Sequence, residues 1–202
     1  MRIIAGRFKG QRLTVPREKV RPTSERLRGS LFNALGEKSL VDSLWLDAFA
    51  GSGAVGIEAL SRGAQHVLLN DRDRFACQVI RVNLERCGIS TGFSILQKDV
   101  FGLLRDPPSS LAGRSLSVLF LDPPYDFGRY RKLLSKALAS PLVDKNTLMI
   151  LEIFKKTQLE FIPDELRVTR TLKGGDSHLL FLSRRSSRRL STPRIMRLRS
   201  VE

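Results

Sequence analysis

At 202 residues with 42% apolar content, the chain is long enough to bury one sizeable core plus extensions, but not comfortably two. Its +15 net charge sits at the ends: residues 1–38 carry +7, residues 184–202 carry +6, and the stretch between them is nearly neutral at +2. No run approaches the ~18 apolar residues of a bilayer span, and the N-terminus reaches charge at Arg2, Arg7 and Lys9 with no apolar stretch long enough for a signal peptide, so none is expected.

Such a distribution suits either a nearly neutral globule whose basic ends meet a polyanion, or termini that are simply solvated. Cys77 and Cys87 fall in one predicted helix and match no zinc spacing. They are expected to be reduced and partly buried. A soluble, cytoplasmic protein without a metal is the expectation.

In chain order, Met1 to Val15 predicts a short hairpin: Arg2 to Ala5, a turn near Gly10, then Arg12 to Val15. One face can pack while the other offers Arg2, Arg7, Lys9 and Arg12 to phosphate. Pro22-Thr23-Ser24-Glu25 opens a helix, with Thr23 or Ser24 as its cap. Leu27, Leu31, Phe32 and Leu35 form its apolar stripe at helical spacing. Arg26 and Arg28 lie off that stripe, and either reach a ligand or are solvated.

From residue 43 strands and helices alternate. Strands are predicted at 44–46, 66–70, 93–96, 117–121 and 148–153, and helices at 53–62, 74–87, after Asp99, and at 130–139. A loop rich in Pro and Ser covers 107–110. Residues 167–172 and 179–182, joined through Gly174-Gly175-Asp176, predict an antiparallel pair. The alternation implies an α/β fold with a mainly parallel, doubly wound sheet. The expected organisation is a basic extension over 1–38, a main domain over 39–183, and an Arg/Ser-rich, mobile tail from Arg184.

The chemistry centres on Asp122-Pro123-Pro124-Tyr125, which follows the apolar run 117–121. Proline donates no N–H and drives the preceding residue out of the α region. The carbonyls of Asp122, Pro123 and Pro124 are therefore expected to point into a crevice. Such a crevice suits a flat heterocycle with an amino group: Asp122 and a carbonyl accept its protons, while Tyr125 stacks on its face. The bland alternative is an ordinary strand exit, where Asp and Pro are common.

Between the first strand and helix, Gly51, Gly53 and Gly56 satisfy GxGxxG, and Asp71 follows 20 residues beyond Gly51. By the letter this is a dinucleotide fingerprint, with the acid accepting ribose hydroxyls. Asp47, however, sits four residues before Gly51, where a carboxylate repels a pyrophosphate but suits an amino group. S-adenosylmethionine has that amino group, a ribose and an adenine, and no phosphate. Asp99 is placed either to accept from an adenine amine or to cap a helix. Four acids (Asp47, Asp71, Asp99 and Asp122) each close a strand on one rim of the sheet. A Mg²⁺ site would use such oxygens, but leaves the glycines and prolines unexplained. His66 and His178 are expected to be structural, which disfavours an NAD dehydrogenase.

The stretch Asp47 to Gly63 together with Asp122-Pro123-Pro124-Tyr125 resembles the class I amino-methyltransferases. Residues 1–183 resemble the RsmD-type small-subunit ribosomal RNA guanine-N2 methyltransferases. Met1-Arg2-Ile3-Ile4-Ala5-Gly6, Arg21-Pro22-Thr23, Arg26 to Leu35 and Lys173 to Ser177 carry that likeness. It implies a Rossmann-like class I methyltransferase fold and methyl transfer from S-adenosylmethionine to a guanine N2 of 16S rRNA, guanine 966 in the family. The implied partner is 16S rRNA or the small ribosomal subunit, engaged by a monomer. Catalysis would fall to Asp122, Pro123, Pro124 and Tyr125. Cofactor contacts would fall to Asp47, Phe49, Ala50, Gly51, Ser52, Gly53, Asp71, Arg72, Asp99 and Val100. RNA contacts would fall to Arg2, Arg7, Lys9, Arg12, Arg21 and Arg26. The tail from Arg184, and Asp71 where many members have Glu, depart from the family pattern. An adenine-N6 methyltransferase acting on DNA or another RNA remains the alternative, with a non-catalytic RNA-binding module as a third possibility.

Overall fold

The computed structural model describes residues 1–15, 24–158 and 161–185. The elements are α1 (Glu25–Leu35), β1 (Leu44–Asp47), α2 (Ala54–Ser61), β2 (His66–Asn70), α3 (Arg74–Arg86), β3 (Phe93–Leu96), α4 (Val100–Arg105), β4 (Val118–Leu121), α5 (Tyr130–Leu138), β5 (Leu148–Phe154), β6 (Leu166–Lys173) and β7 (Ser177–Arg184). Short 3₁₀ turns occupy Glu37–Ser39 and Ser109–Leu111. One seven-stranded sheet runs β3-β2-β1-β4-β5-β7-β6. Strands β1 to β5 pair in parallel, while β7 runs antiparallel between β5 and β6. The predicted α/β architecture and its late antiparallel pair are both present.

Parallel strands covered on both faces are apolar throughout, and the two-residue period sorts their side chains. Trp45, Val67, Leu69, Val118, Phe120 and Ile150 face α1, α2 and α3, together with Ile3 and Leu13 of the N-terminal segment. Leu46, Leu68, Leu119, Leu121, Met149 and Leu151 face α4 and α5, meeting Leu103, Leu104, Leu133 and Leu134. The crossover helices thus change sides between β1 and β4. That is the switch point, where the two chains diverge at their carboxyl ends and leave a crevice.

The N-terminal segment forms the predicted hairpin only at its base, where Gly10 N also donates to Ile3. Arg2 and Arg12 form a single antiparallel bridge, with Ile3 N donating to Gln11 and Leu13 N to Met1. Residues 4–8 instead find their partners on α2. Glu58 accepts from the amides of Ile4 (2.8 Å) and Ala5 (3.0 Å), and Ser61 accepts from Arg7 through its carbonyl (2.7 Å) and from Phe8 through its hydroxyl (3.0 Å). Gly6 lies against this helix at φ 81°, where a Cβ would stand 1.9 Å from the Ser61 carbonyl oxygen. A side chain there is excluded both by conformation and by space.

Ser24 caps α1 by accepting from Leu27 N at 3.2 Å; Thr23, the other predicted cap, lies outside the described residues. Arg28 corrects the expectation of a solvated or ligand-facing side chain, because it is fully buried. Its guanidinium donates to the Arg2 carbonyl, with Nε 3.7 Å from Glu58 Oε2. Burial lowers its pKa, opposed by the Glu58 charge. The boundary at Arg184 also moves: β7 runs through that residue, whose guanidinium donates to the carbonyls of Leu138 and Val143. Residues 186–202 lie outside the described residues. Cys77 and Cys87 are free and buried. Among the described residues, no helix is long and apolar enough to cross a membrane.

Candidate functional site

The loop leaving β1 is strung between its two neighbouring strands. Ala48 N donates to the Phe120 carbonyl on β4 at 3.0 Å, and Ala50 N to the Asn70 carbonyl on β2 at 2.8 Å. Gly51 and Gly53 then take positive φ (54° and 78°), a conformation costly for residues with a Cβ. Ser52 is buried and Phe49 partly so. Helix α2 starts directly after the turn.

Asp47, the last residue of β1, is 1% exposed. Its Oδ2 accepts from Gly56 N at 3.1 Å, whereas the buried Oδ1 has no hydrogen-bond partner. Burial raises its pKa to about 7, the Gly56 amide opposing and the Asp71 charge adding to the rise. Asp71, immediately after β2, holds the loop: Oδ2 accepts from Gly51 N at 3.0 Å and Oδ1 from Asp73 N at 2.9 Å. Arg72 beside it is exposed. Asp99 caps α4, its Oδ2 accepting from Phe101 N (3.0 Å) and Gly102 N (3.1 Å). The capping alternative is therefore realised. Val100 follows with its side chain buried in the core beneath α4.

Asp122 is half-buried just past β4. Its charge bears on Tyr130, whose phenol pKa is raised first by burial and then by Asp122, against a hydrogen bond with Thr157. Pro123 is buried and Pro124 exposed. The expectation of three open carbonyls is corrected at Pro124, whose oxygen accepts from Phe127 N at 3.0 Å. A tight turn after the motif consumes it. Tyr125 is 53% exposed and meets Phe154 edge-on, ring centroids 5.4 Å apart. A large aromatic face left open beside an acid at a switch point can receive a planar base.

Arg2, Arg7, Lys9, Arg12 and Arg26 are all exposed, and Arg21 lies outside the described residues. Arg2, Lys9 and Arg26 line one depression of about 370 Å³, in which Glu25 stands 3.5 Å from Arg2. The structure therefore brings three of the predicted RNA contacts together. Arg7 lies over the Phe8 ring.

Two buried amides support the site. Asn70 donates to the carbonyls of Ala48 (3.0 Å) and Lys98 (3.1 Å), joining the exits of β1, β2 and β3. Asn83 joins the Ser52 carbonyl to Thr14. Neither is named by the sequence motifs. The signal for Asn83 was its place on the apolar stripe of α3 with Ala76, Val79, Ile80 and Leu84.

Comparison with known proteins agrees with this geometry. The family described as Conserved hypothetical protein 95 matches residues 1–183. The Haemophilus influenzae protein named Ribosomal RNA small subunit methyltransferase D is 33% identical over 162 residues, 79% of this chain and 81% of its own. YlbH of Bacillus subtilis is 32% identical over 171 residues, 84% of this chain and 91% of its own. The solved Escherichia coli protein yhhF superposes with a TM-score of 0.76 at 29% identity, covering 91% of this chain and 97% of that one. The chain belongs to this family, that of the RsmD-type ribosomal RNA small subunit methyltransferases.

Proposed function

We propose that the protein transfers a methyl group from S-adenosylmethionine to the exocyclic N2 of a guanine in 16S rRNA, guanine 966 in the family pattern, on free RNA or on the small ribosomal subunit. The observation that carries this reading is the gathering of Asp47, Asp71 and Asp122 at the carboxyl ends of adjacent strands, around the β1/β4 switch point. The relatives named Ribosomal RNA small subunit methyltransferase D support the substrate class.

The residues fit the methyl donor. A buried carboxylate oxygen without a partner, as at Asp47 Oδ1, is relieved by an ammonium group. Asp71 bonds two amides and, with up to four acceptor sites on a carboxylate, still has capacity for ribose hydroxyls. Asp99 and the Val100 backbone would hold the adenine, with Phe49, Ala50, Gly51, Ser52 and Gly53 along the donor and Arg72 at its edge. S-adenosylmethionine supplies an electrophilic methyl carbon when bound.

The chain's own part is to orient the amine and receive its proton. Asp122 and the Pro123 carbonyl accept the two N–H groups of the guanine amine, favouring a localised nitrogen lone pair. Pro124 holds the turn that presents Tyr125. Stacking on that ring contributes roughly 1–3 kcal/mol, offsetting part of the few kcal/mol lost when the base leaves its stack. Alignment of the reactants can supply roughly 7–11 kcal/mol. Asp122 accepts the proton released after transfer. Arg2, Arg7, Lys9, Arg12, Arg21 and Arg26 hold phosphates without base preference.

The test is transfer of tritiated methyl to small subunits from cells lacking the protein, followed by nucleoside analysis. Label in N2-methylguanosine is expected. Label in N6-methyladenosine would shift the acceptor to adenine, and RNA binding without label would leave a non-catalytic binding module.

A further inference from the structure

Beside the motif turn lies a wall of aromatic rings contributed by two loops and the start of α4. Phe49 from the glycine loop meets Phe127 edge-on at 5.7 Å, and Phe127 stacks on Phe101, the second residue of α4, at 6.2 Å. Each of the three is partly buried, with a minority of its surface open. Two exposed cations sit on this wall. The Arg129 guanidinium carbon lies 5.1 Å from the centroids of both Phe101 and Phe127, and Lys132 Nζ lies 5.1 Å from the centroid of Phe101.

Residues three apart at the start of a helix share a face, so α5 brings the two charges together. Like charges placed this way repel, and the ring quadrupoles offset only part of that repulsion in exposed positions. An anion between the cations would turn the repulsion into attraction. Phe101 lies under both cations and Phe127 under Arg129, so such an anion would sit beside these rings, next to the loop that carries Asp122. This cluster is separate in sequence from the basic N-terminal segment.

We infer that Arg129 and Lys132 form a phosphate clamp for the nucleotide next to the target base, on an unpaired RNA strand crossing the Phe101–Phe127 wall. Charge complementarity and continuity with the motif loop select this occupant. RNA supplies a phosphate at every nucleotide, together with bases that stack on exposed aromatic edges. The inference deepens the methyltransferase reading and rests on it for the identity of the adjacent base. These are positioning residues: they set where the strand lies and leave the amine chemistry to Asp122.

The experiment uses the full chain with S-adenosylhomocysteine present and a short single-stranded oligoribonucleotide, its affinity measured across a salt series. Arg129→Gln with Lys132→Gln should flatten the slope of log affinity against log salt by roughly 0.7, the amount for one phosphate of a single strand that is no longer neutralised. Arg129→Lys with Lys132→Arg should restore it. S-adenosylhomocysteine affinity and the melting temperature should stay at wild-type values. On small subunits the Gln pair should raise KM about tenfold with kcat nearly unchanged. An unchanged salt slope in the Gln pair overturns the clamp, whatever the methylation assay shows. A flattened slope on a protein that transfers no methyl keeps the clamp and removes the methyltransferase reading.

Discussion

Asn83 donates from Nδ2 to the Ser52 carbonyl at 2.8 Å, joining α3 to the loop that carries Gly51 and Gly53. The same side chain brackets Thr14, donating to its carbonyl at 2.9 Å and accepting its amide at 2.8 Å. One fully buried amide therefore fastens the basic N-terminal segment and the glycine loop to a single helix. The segment proposed to meet RNA and the loop proposed to meet the methyl donor share a bolt.

Replacing Asn83 by Ala strands the amide of Thr14 and two carbonyls. Each unsatisfied buried group costs about 1–3 kcal/mol. A loss of about 2 kcal/mol corresponds to a fall of about 4–8 °C in Tm for a domain of this size. Calorimetric titration should show weaker S-adenosylhomocysteine binding as well. Wild-type values in both measurements would mean that the loop is held by other contacts.

The N-terminal segment has a second bolt at Glu58, fully buried and bonded to the amides of Ile4 and Ala5 and to Arg62 Nε at 2.7 Å. Arg28 is buried beside it. Glu58→Ala removes the carboxylate and leaves the Arg28 charge uncompensated, a loss of about 3–5 kcal/mol. Urea unfolding should show the midpoint falling, and hydrogen exchange at Ile4 and Ala5 should accelerate. If the midpoint holds, the segment docks through its apolar residues alone.

The central strands were legible because a parallel strand buried on both faces is an apolar run, and each acid on the rim follows one. The N-terminal segment was legible only where its arms pair at Arg2 and Arg12, because the partners of Ile4, Ala5, Arg7 and Phe8 lie on α2, more than fifty residues away. Spacing within 1–15 suggests a self-paired hairpin; the competing acceptors are invisible locally. Arg28 misleads for the same reason, since a cation off an apolar stripe looks solvated until Glu58 is brought beneath it. Arg129 stayed hidden because one of its ring partners, Phe101, lies on α4, almost thirty residues earlier in the chain. Asn83 carried a usable mark, a polar residue on a core-facing stripe. The motif loop was half legible: prolines announce an irregular exit, but the capture of the Pro124 carbonyl depends on how Phe127 folds back.

Asp47 gives the site a pH dependence with a definite sign. Its folded pKa of about 7 lies above the ordinary carboxylate value of 3.8, because burial disfavours the charge. The folded state therefore binds its proton more tightly than the unfolded chain does. The contribution to stability is complete below about pH 4, declines as pH rises, and is gone above about 7. Asp47→Asn removes this dependence, so the variant should gain stability relative to wild type between pH 4 and 8. Binding of a ligand ammonium should follow the opposite course, since it needs the carboxylate charged. S-adenosylhomocysteine affinity should rise from pH 6 to 8 in the wild type and stay flat in the variant. Parallel pH profiles for the two proteins would remove Asp47 from contact with the ammonium.

Asp122 separates chemistry from binding. It stands half-buried just past β4, on the strand next to the one that ends in the buried Asp47, while Asp71 beyond β2 is engaged with the Gly51 amide. If it accepts the guanine amine, Asp122→Ala should lower kcat by about 10²-fold or more, within the range assigned to a positioned acid or base. Affinity for S-adenosylhomocysteine should change by less than about threefold, because the contacts proposed for the donor lie at the ends of β1 and β2 and the start of α4. Asp122→Asn retains one acceptor oxygen and cannot take the proton. An intermediate rate for Asn would identify hydrogen-bond orientation as the larger part of the effect, and a rate equal to that of Ala would identify proton acceptance. A variant that keeps most of its rate would place the amine acceptor elsewhere on the rim, and the motif would then serve to shape the turn beneath Tyr125.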